Sequence, residues 1–376
     1  MIQNRMVIRT GNQMIAEGAL QAGCQFFAGY PITPASGIYK AMIEQLPSKN
    51  GVAISAPDEI SALAYCVGAS ARGAKTMTAT SGPGWALMIE TVQYALMTEL
   101  PVVIAMVQRL GPSTGGATQN AQGDILFTEF CTSGGYTIPM FAPSTPQECF
   151  EVTTIAFKWA ELLRTPVVIL SDKEVGMMAE DVNYALLNSA PPWYRKEFSS
   201  KNGEPHITYN FKNGGDIPFF APVGGKDKVT MTGSAHNKQG ALQKNSPETL
   251  EVLRHLQQKI DVHKEEMAIV RLDEQEKADT LIISFGITHR TAREAVKRAR
   301  SSGKRVRLAN VISLFPIPSK QLIEAASNVK RIIVAEENMT GQYRSVIRHL
   351  FDGKEIIGVN AVGTMISPEM ILSEIL

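Results

Sequence analysis

The feature that most constrains the fold is a repeated alternation. Short, mostly apolar runs each lead into a Gly-, Pro- or Ser-rich loop, and a helical apolar period follows. Residues 102–107 are the extreme case, Val-Val-Ile-Ala-Met-Val with no polar side chain. Such a run suits a parallel strand buried on both faces, because a strand with one wet face alternates. Repeated strand–helix alternation predicts a parallel sheet with helices on both sides. In such sheets ligands gather at the loops beyond the carboxyl ends of the strands.

The first half should hold strands at 24–28, 52–56, 76–80, 102–107, 138–141 and 166–170. Asn12 is placed to cap a first helix that Gly23 ends, and Ser36 to cap a second. Pro57-Asp58-Glu59 is a helix start, and further helices are expected over 85–97 and 145–163. Beyond residue 182 the character changes. Pro and Gly dominate to about residue 246, with Lys between them, which predicts an irregular connection. Its aromatics Trp193, Tyr194, Phe219 and Phe220 indicate that it packs against something. Residues 247–267 read as one amphipathic helix, with Leu250, Leu253, Leu256 and Ile260 near helical spacing. A second α/β unit follows, with strands at 280–285, 306–311 and 329–336 and helices at 288–301, 320–326 and 342–351. The expected parts are therefore 1–181, 182–268 and 269–376. A length of 376 residues with 44% hydrophobic content fits more than one domain.

Charge narrows the function. The 37 basic residues balance 36 acidic ones, so nothing points to nucleic acid or an anionic membrane. The N-terminus has no signal-peptide core and no apolar string spans a bilayer, so a cytoplasmic protein is expected. Cys24, Cys66, Cys131 and Cys149 form no C-x-x-C, which argues against an iron–sulfur or zinc site held by this chain alone.

Four strand-end loops carry the candidate chemistry. Tyr30-Pro31-Ile32-Thr33-Pro34 is stiffened by its prolines, which fixes the Thr33 hydroxyl. Glu59 is either a first-turn acid favoured by the helix dipole or a carboxylate at a ligand edge that holds or moves a proton. Arg109 ends the most apolar strand and precedes Gly111-Pro112-Ser113-Thr114-Gly115-Gly116. It is either a solvated strand-end charge or a guanidinium held rigidly for a carboxylate. Ser81-Gly82-Pro83-Gly84 leads into a helix and offers backbone N–H groups to an anion, without a Walker lysine. The six histidines fall outside these loops, and no Gly-x-Ser-x-Gly elbow is present.

Together, in this order and spacing, the four loops resemble the α subunits of 2-oxoacid:ferredoxin oxidoreductases. The resemblance continues at Glu99-Leu100-Pro101, Thr165-Pro166-Val167, Leu170-Ser171-Asp172, Ala335-Glu336-Glu337-Asn338 and Gly341-Gln342. The Gly-Pro-Ser-Thr-Gly form of the Arg109 loop is most like the 2-oxoglutarate type. The resemblance implies a thiamine diphosphate-binding-type parallel-sheet domain, the pyrimidine-binding half, plus a smaller transketolase C-terminal-like α/β domain. It places the carboxylate that bonds the aminopyrimidine on Glu59, with Tyr30, Pro31 and Ile32 beside the cofactor. It places substrate binding on Thr33 and Arg109, with Glu59 and Arg109 as the catalytic pair. It implies oxidative decarboxylation of a 2-oxoacid with coenzyme A, electrons passing to ferredoxin. Gln122-Gly123-Asp124 lacks the second Gly of a Gly-Asp-Gly diphosphate motif. Diphosphate, Mg²⁺ and a [4Fe-4S] cluster are thus expected on a β subunit, in an (αβ)₂ assembly. Two places depart from the 2-oxoglutarate pattern. Thr132-Ser133-Gly134-Gly135-Tyr136 stands where His-Gly-Asp is common, and His236-Asn237-Lys238 where His-Asp-Glu is usual. A non-redox thiamine-dependent decarboxylase subunit and a non-catalytic scaffold remain as alternatives.

Overall fold

The computed structural model describes residues 6–199 and 204–375. Seven strands form the larger sheet. Across it run Ser313–Phe315, Met140–Phe141, Pro166–Asp172, Val102–Gln108, Thr76–Thr80, Phe26–Gly29 and Val52–Ser55. Six are parallel; Ser313–Phe315 is antiparallel at the edge. Val102–Gln108 and Pro166–Asp172 are buried along their whole length, as their near-continuous apolar runs require. Helices Gly11–Gln21, Ser36–Gln45 and Pro146–Leu163 cover one face, and Glu59–Ala71 and Gly82–Met97 the other.

The second sheet has five strands in the order Glu355–Asn360, Arg331–Glu336, Thr280–Ser284, Val306–Val311 and Val270–Asp273. The last is antiparallel. Its first strand, its last strand and the closing helix Pro368–Ile375 have weak local patterns and were not expected from sequence. The two units are not separate bodies. Ser313–Phe315 leaves the second unit to pair with Met140–Phe141. One buried apolar cluster runs from Met88 and Ile104 through Phe315 and Tyr343 to Leu281.

The irregular connection packs down through buried charges. Arg195 bonds Glu161 at 2.8 and 2.9 Å, both side chains being almost fully enclosed. Arg164 donates to the carbonyl of Pro218 at 3.0 Å. Helix Pro247–Met267, capped by Ser246, brings Lys259 to Glu99 at 2.9 Å and His255 at 3.3 Å. Burial alone would raise the Glu99 carboxyl, but Lys259 and His255 hold it well below the usual range. His236 is buried and stacked on Tyr209 at 4.3 Å, a packing role.

Two helix caps differ from expectation. Thr10, not Asn12, caps the first helix, in a reciprocal box with Gln13. Ala35 precedes Ser36–Gln45 without a side-chain cap, and Ser36 is already helical. Asn12 instead lies buried inside the first turn, where it serves a loop described below. All four cysteines are buried.

Candidate active site

The four expected loops meet at the carboxyl edge of the larger sheet. Asp58 caps helix Glu59–Ala71 by accepting from the Ser61 N–H at 2.7 Å. This fixes Glu59 as the first helical residue and buries it. Its carboxylate takes no hydrogen bond or ion pair from the described residues. Gly84 is what lets it sit there. A Cβ on Gly84 would overlap Thr80 Oγ1, lie 2.6 Å from Glu59 Cγ and lie 2.9 Å from Glu59 Oε1. The Gly82-Pro83-Gly84 segment is the first turn of helix Gly82–Met97, which starts three residues before the expected Trp85. Pro83 suits a first turn because the missing N–H has no helical partner there.

Arg109 leaves the end of Val102–Gln108 and donates from Nη1 to the Thr33 carbonyl at 2.6 Å. Asn12 Nδ2 donates to the Pro34 carbonyl at 2.9 Å. Both Thr33–Pro34 and Gly111–Pro112 are cis. Two side chains from distant segments thus clamp the 30–34 loop. Tyr30 and Pro31 stay exposed, while Ile32 and Thr33 are half-buried. Arg109 is buried, and its Nε has no hydrogen-bond partner. A guanidinium anchored through one nitrogen and lining a cavity is set up to receive a planar anion.

Beside Arg109 lies a cavity of about 460 Å³. Gly82, Arg109, Ser113 and Asp124 line one side, and Glu337 and Asn338 of the second unit the other. Sequence reasoning passed over Asp124 as a failed diphosphate motif. Its carboxylate packs on the first turn of helix Gly82–Met97, and a Cβ on Gly82 would lie 3.2 Å from each oxygen. The anion seat read from Ser81-Gly82-Pro83-Gly84 therefore faces the chain's own carboxyl. Asp124 Oδ2 is enclosed and unmatched. Burial pushes this acid up to about 7, against the pull of Arg109.

Gln122 joins the two units at this edge, and no sequence signal marked it. Its Nε2 donates to Phe285 O at 3.0 Å and Asp172 Oδ2 at 3.1 Å, and its Oε1 accepts from Glu337 N–H at 3.1 Å. Its own N–H donates to Glu337 O at 2.8 Å. Gln342 adds a second bridge, donating to Gly123 O at 2.8 Å and accepting from Leu126 N–H at 3.1 Å.

Residues 17–255 match the family described as pyruvate flavodoxin/ferredoxin oxidoreductase, thiamine diphosphate-binding. The chain belongs to the 2-oxoacid:ferredoxin oxidoreductase α-subunit family. Residues 278–372 match the pyruvate:ferredoxin oxidoreductase core domain II. A 2-oxoglutarate synthase subunit from Methanothermobacter marburgensis is 39% identical over 97% of both chains. A ketoisovalerate oxidoreductase subunit from Methanothermobacter thermautotrophicus is 32% identical over 94% of this chain and 92% of its own. The solved 2-oxoglutarate:ferredoxin oxidoreductase from Magnetococcus marinus, with 2-oxoglutarate, coenzyme A and succinyl-CoA bound, superposes with TM-score 0.92 at 30% identity. It covers 99% of this chain, which spans 65% of that one. A split-gene transketolase at 13% identity and TM-score 0.57 shares the fold alone. The expected α/β class and family hold.

The site fits half of a thiamine cofactor. Glu59 is a buried acceptor left without a partner, and Gly84 keeps a cradle open that a Cβ would fill. Among the described residues no three His, Cys, Asp or Glu side chains converge as a metal site.

Proposed function

We propose that this chain supplies the pyrimidine-facing half of a thiamine diphosphate site in an enzyme that oxidatively decarboxylates a 2-oxoacid. The first reading of the substrate is 2-oxoglutarate, with coenzyme A as acyl acceptor and ferredoxin as electron acceptor. The observation that carries it is the buried, unpartnered Glu59 carboxylate pressed against Gly84, one loop away from Arg109. The relatives named 2-oxoglutarate synthase subunit favour this acid.

Glu59 would hold the ring nitrogen of the aminopyrimidine through one shared proton, giving it to that nitrogen and taking it back. Tyr30, Pro31 and Ile32 form a wall beside that ring. Thr33 and Arg109 orient the 2-oxoacid through its carboxylate, and the Asn12 and Arg109 clamps hold the loop still while they do so. Bound thiamine diphosphate supplies the carbon nucleophile and the electron sink.

A β chain brings the diphosphate and Mg²⁺ ligands and a [4Fe-4S] cluster. Each cysteine of this chain is buried within its own core, which supports placing cluster thiolates elsewhere. Large apolar side chains stay exposed around the same edge, among them Ile60, Leu87, Phe130 and Met339, as a partner surface requires. No helix of the described residues is long and apolar enough to cross a membrane. An (αβ)₂ enzyme in the cytoplasm fits these features.

The test is co-purification followed by assay of 2-oxoglutarate, pyruvate and 2-oxoisovalerate with coenzyme A and a viologen acceptor. The chain with its partner should reduce the viologen, 2-oxoglutarate fastest. Robust turnover by this chain alone would contradict the divided site.

A further inference from the structure

The cavity beside Arg109 holds a second ionisable group that the proposed mechanism leaves unused. Asp124 and Arg109 line the same wall. Asp124 N–H donates to Gln108 Oε1 at 3.0 Å, so the residue before Arg109 fixes its backbone. Its carboxyl rests on Gly82, and Oδ2 is enclosed without a partner. Arg109 Nε is likewise enclosed without a partner. Neither group is satisfied by the other, although they face one space.

We propose that Asp124 is a positioning residue that gates the anion seat at Arg109. As the neutral acid it leaves the guanidinium free for a substrate carboxylate, and as the carboxylate it competes for it. This rests on the reading of Arg109 as the 2-oxoacid site.

The surroundings favour the neutral acid. Burial pushes Asp124 up to about 7, and Arg109 opposes the shift. The first turn of helix Gly82–Met97 brings no acidic side chain. Across the cavity stand Glu337, also pushed up to about 7 by burial, and the neutral amides of Asn338 and Gln342. Glu337 is occupied otherwise: it accepts from Asn120 Nδ2, and from the Ile366 N–H at 3.1 Å. Asp124 alone combines an unmatched oxygen with contact on the Arg109 wall.

The sign follows. Below about pH 7 Asp124 is neutral, and an anionic 2-oxoacid meets only the positive charge of Arg109. Above it the new carboxylate repels the substrate carboxylate, so binding must take up a proton. KM for the 2-oxoacid should rise with pH, by at most about tenfold per unit.

The experiment is the pH dependence of kcat and KM for the assembled enzyme between pH 6 and 9. The wild type should show KM for the 2-oxoacid rising through pH 7, with KM for coenzyme A level. D124N, of equal shape, should abolish that rise and give a lower KM than wild type at pH 8.5. E337Q should keep it. A wild-type control needs no substitution: Ki of the uncharged methyl ester of the 2-oxoacid should not vary with pH, while Ki of an anionic unreactive analogue should. If D124N keeps the wild-type rise, if E337Q removes it, or if ester and anion respond alike, the gate is wrong. R109A separates the two levels. If it leaves KM for the 2-oxoacid unchanged, the site reading itself fails. If it raises KM while D124N keeps the pH profile, only the gate fails.

Discussion

The carboxyl edges of the two sheets have the same topology and opposite chemistry. Beyond Arg331–Glu336 in the second unit, most polar groups are matched to one another, the enclosed Tyr343 hydroxyl excepted. Glu336 accepts from Tyr343 N–H at 2.9 Å, Arg344 N–H at 3.0 Å and Asn338 Nδ2 at 2.6 Å. Asn338 Oδ1 accepts from Gly341 and Gln342, and its Nδ2 also reaches Gln122 O at 3.0 Å. This satisfies the start of helix Gln342–Ile347 and fastens the unit to its neighbour. Beyond the strands of the first unit, enclosed atoms are left unmatched: Arg109 Nε, Asp124 Oδ2 and Ser81 Oγ; the Glu59 carboxylate beside them also lacks a partner. An unmatched buried polar group costs about 1–3 kcal/mol. Three at one edge need a reason, and an edge held open for a ligand is one. The lesson is that topology places a possible site, while hydrogen-bond accounting tells which edge serves binding and which serves docking.

Substitutions at the two edges should therefore fail differently. The largest expected effect is E59Q in the assembled enzyme. It should lower kcat by about 10²-fold or more, as for loss of an acid–base group, with Tm nearly unchanged. Steady-state viologen reduction and a thermal melt together check this; near-normal turnover would favour the scaffold reading. E336A should do the reverse. It leaves the Tyr343 and Arg344 N–H groups without an acceptor and takes one of two acceptors from Asn338 Nδ2, so stability should fall by roughly 2 kcal/mol or more in urea unfolding, with KM for the 2-oxoacid little changed wherever the fold persists. A pure kcat effect without lost stability would erase the contrast between the edges.

The smallest effect concerns Glu129, on the short helix Ile125–Glu129 beside the cavity. Burial pushes its carboxyl up to about 7, and its Oε2 has no partner. Below the ordinary glutamate range both folded and unfolded chains are protonated there. As pH rises to about 7, the unfolded chain ionises first, and stability falls. E129Q removes that penalty. Its Tm should exceed that of wild type by a margin that grows from pH 5 to pH 8. A margin independent of pH would show that the carboxyl is already ionised when folded.

Much of the first unit was legible because its signals are local. Asp58 caps its helix where Pro57-Asp58-Glu59 indicated, and helix Pro247–Met267 spans the expected residues. The apolar runs became buried parallel strands. Asn12 was misread because cap propensity is also local, and Thr10 two residues earlier satisfied the same orphan N–H groups. Freed from capping, Asn12 bonds Pro34, a choice that depends on the loop lying overhead. Gly84 read only as part of a loop offering backbone N–H groups to an anion, yet its missing Cβ makes room for Glu59. Ser313–Phe315 sits in a strand-like stretch of the second unit, and nothing in it shows that its partner lies in the other sheet.

The sequence by itself determined the alternation of elements, the four strand-end loops and the residue types they carry, because periodicity, caps and Pro or Gly constraints act over a few residues. Only the tertiary structure decided which polar groups satisfy one another. Gln122 binds Phe285 and Glu337, and Arg109 reaches Thr33, across separations that no local pattern encodes. Those pairings depend on which surfaces burial brings together. The same packing leaves Glu59 and Asp124 unmatched, and so marks the edge where chemistry belongs.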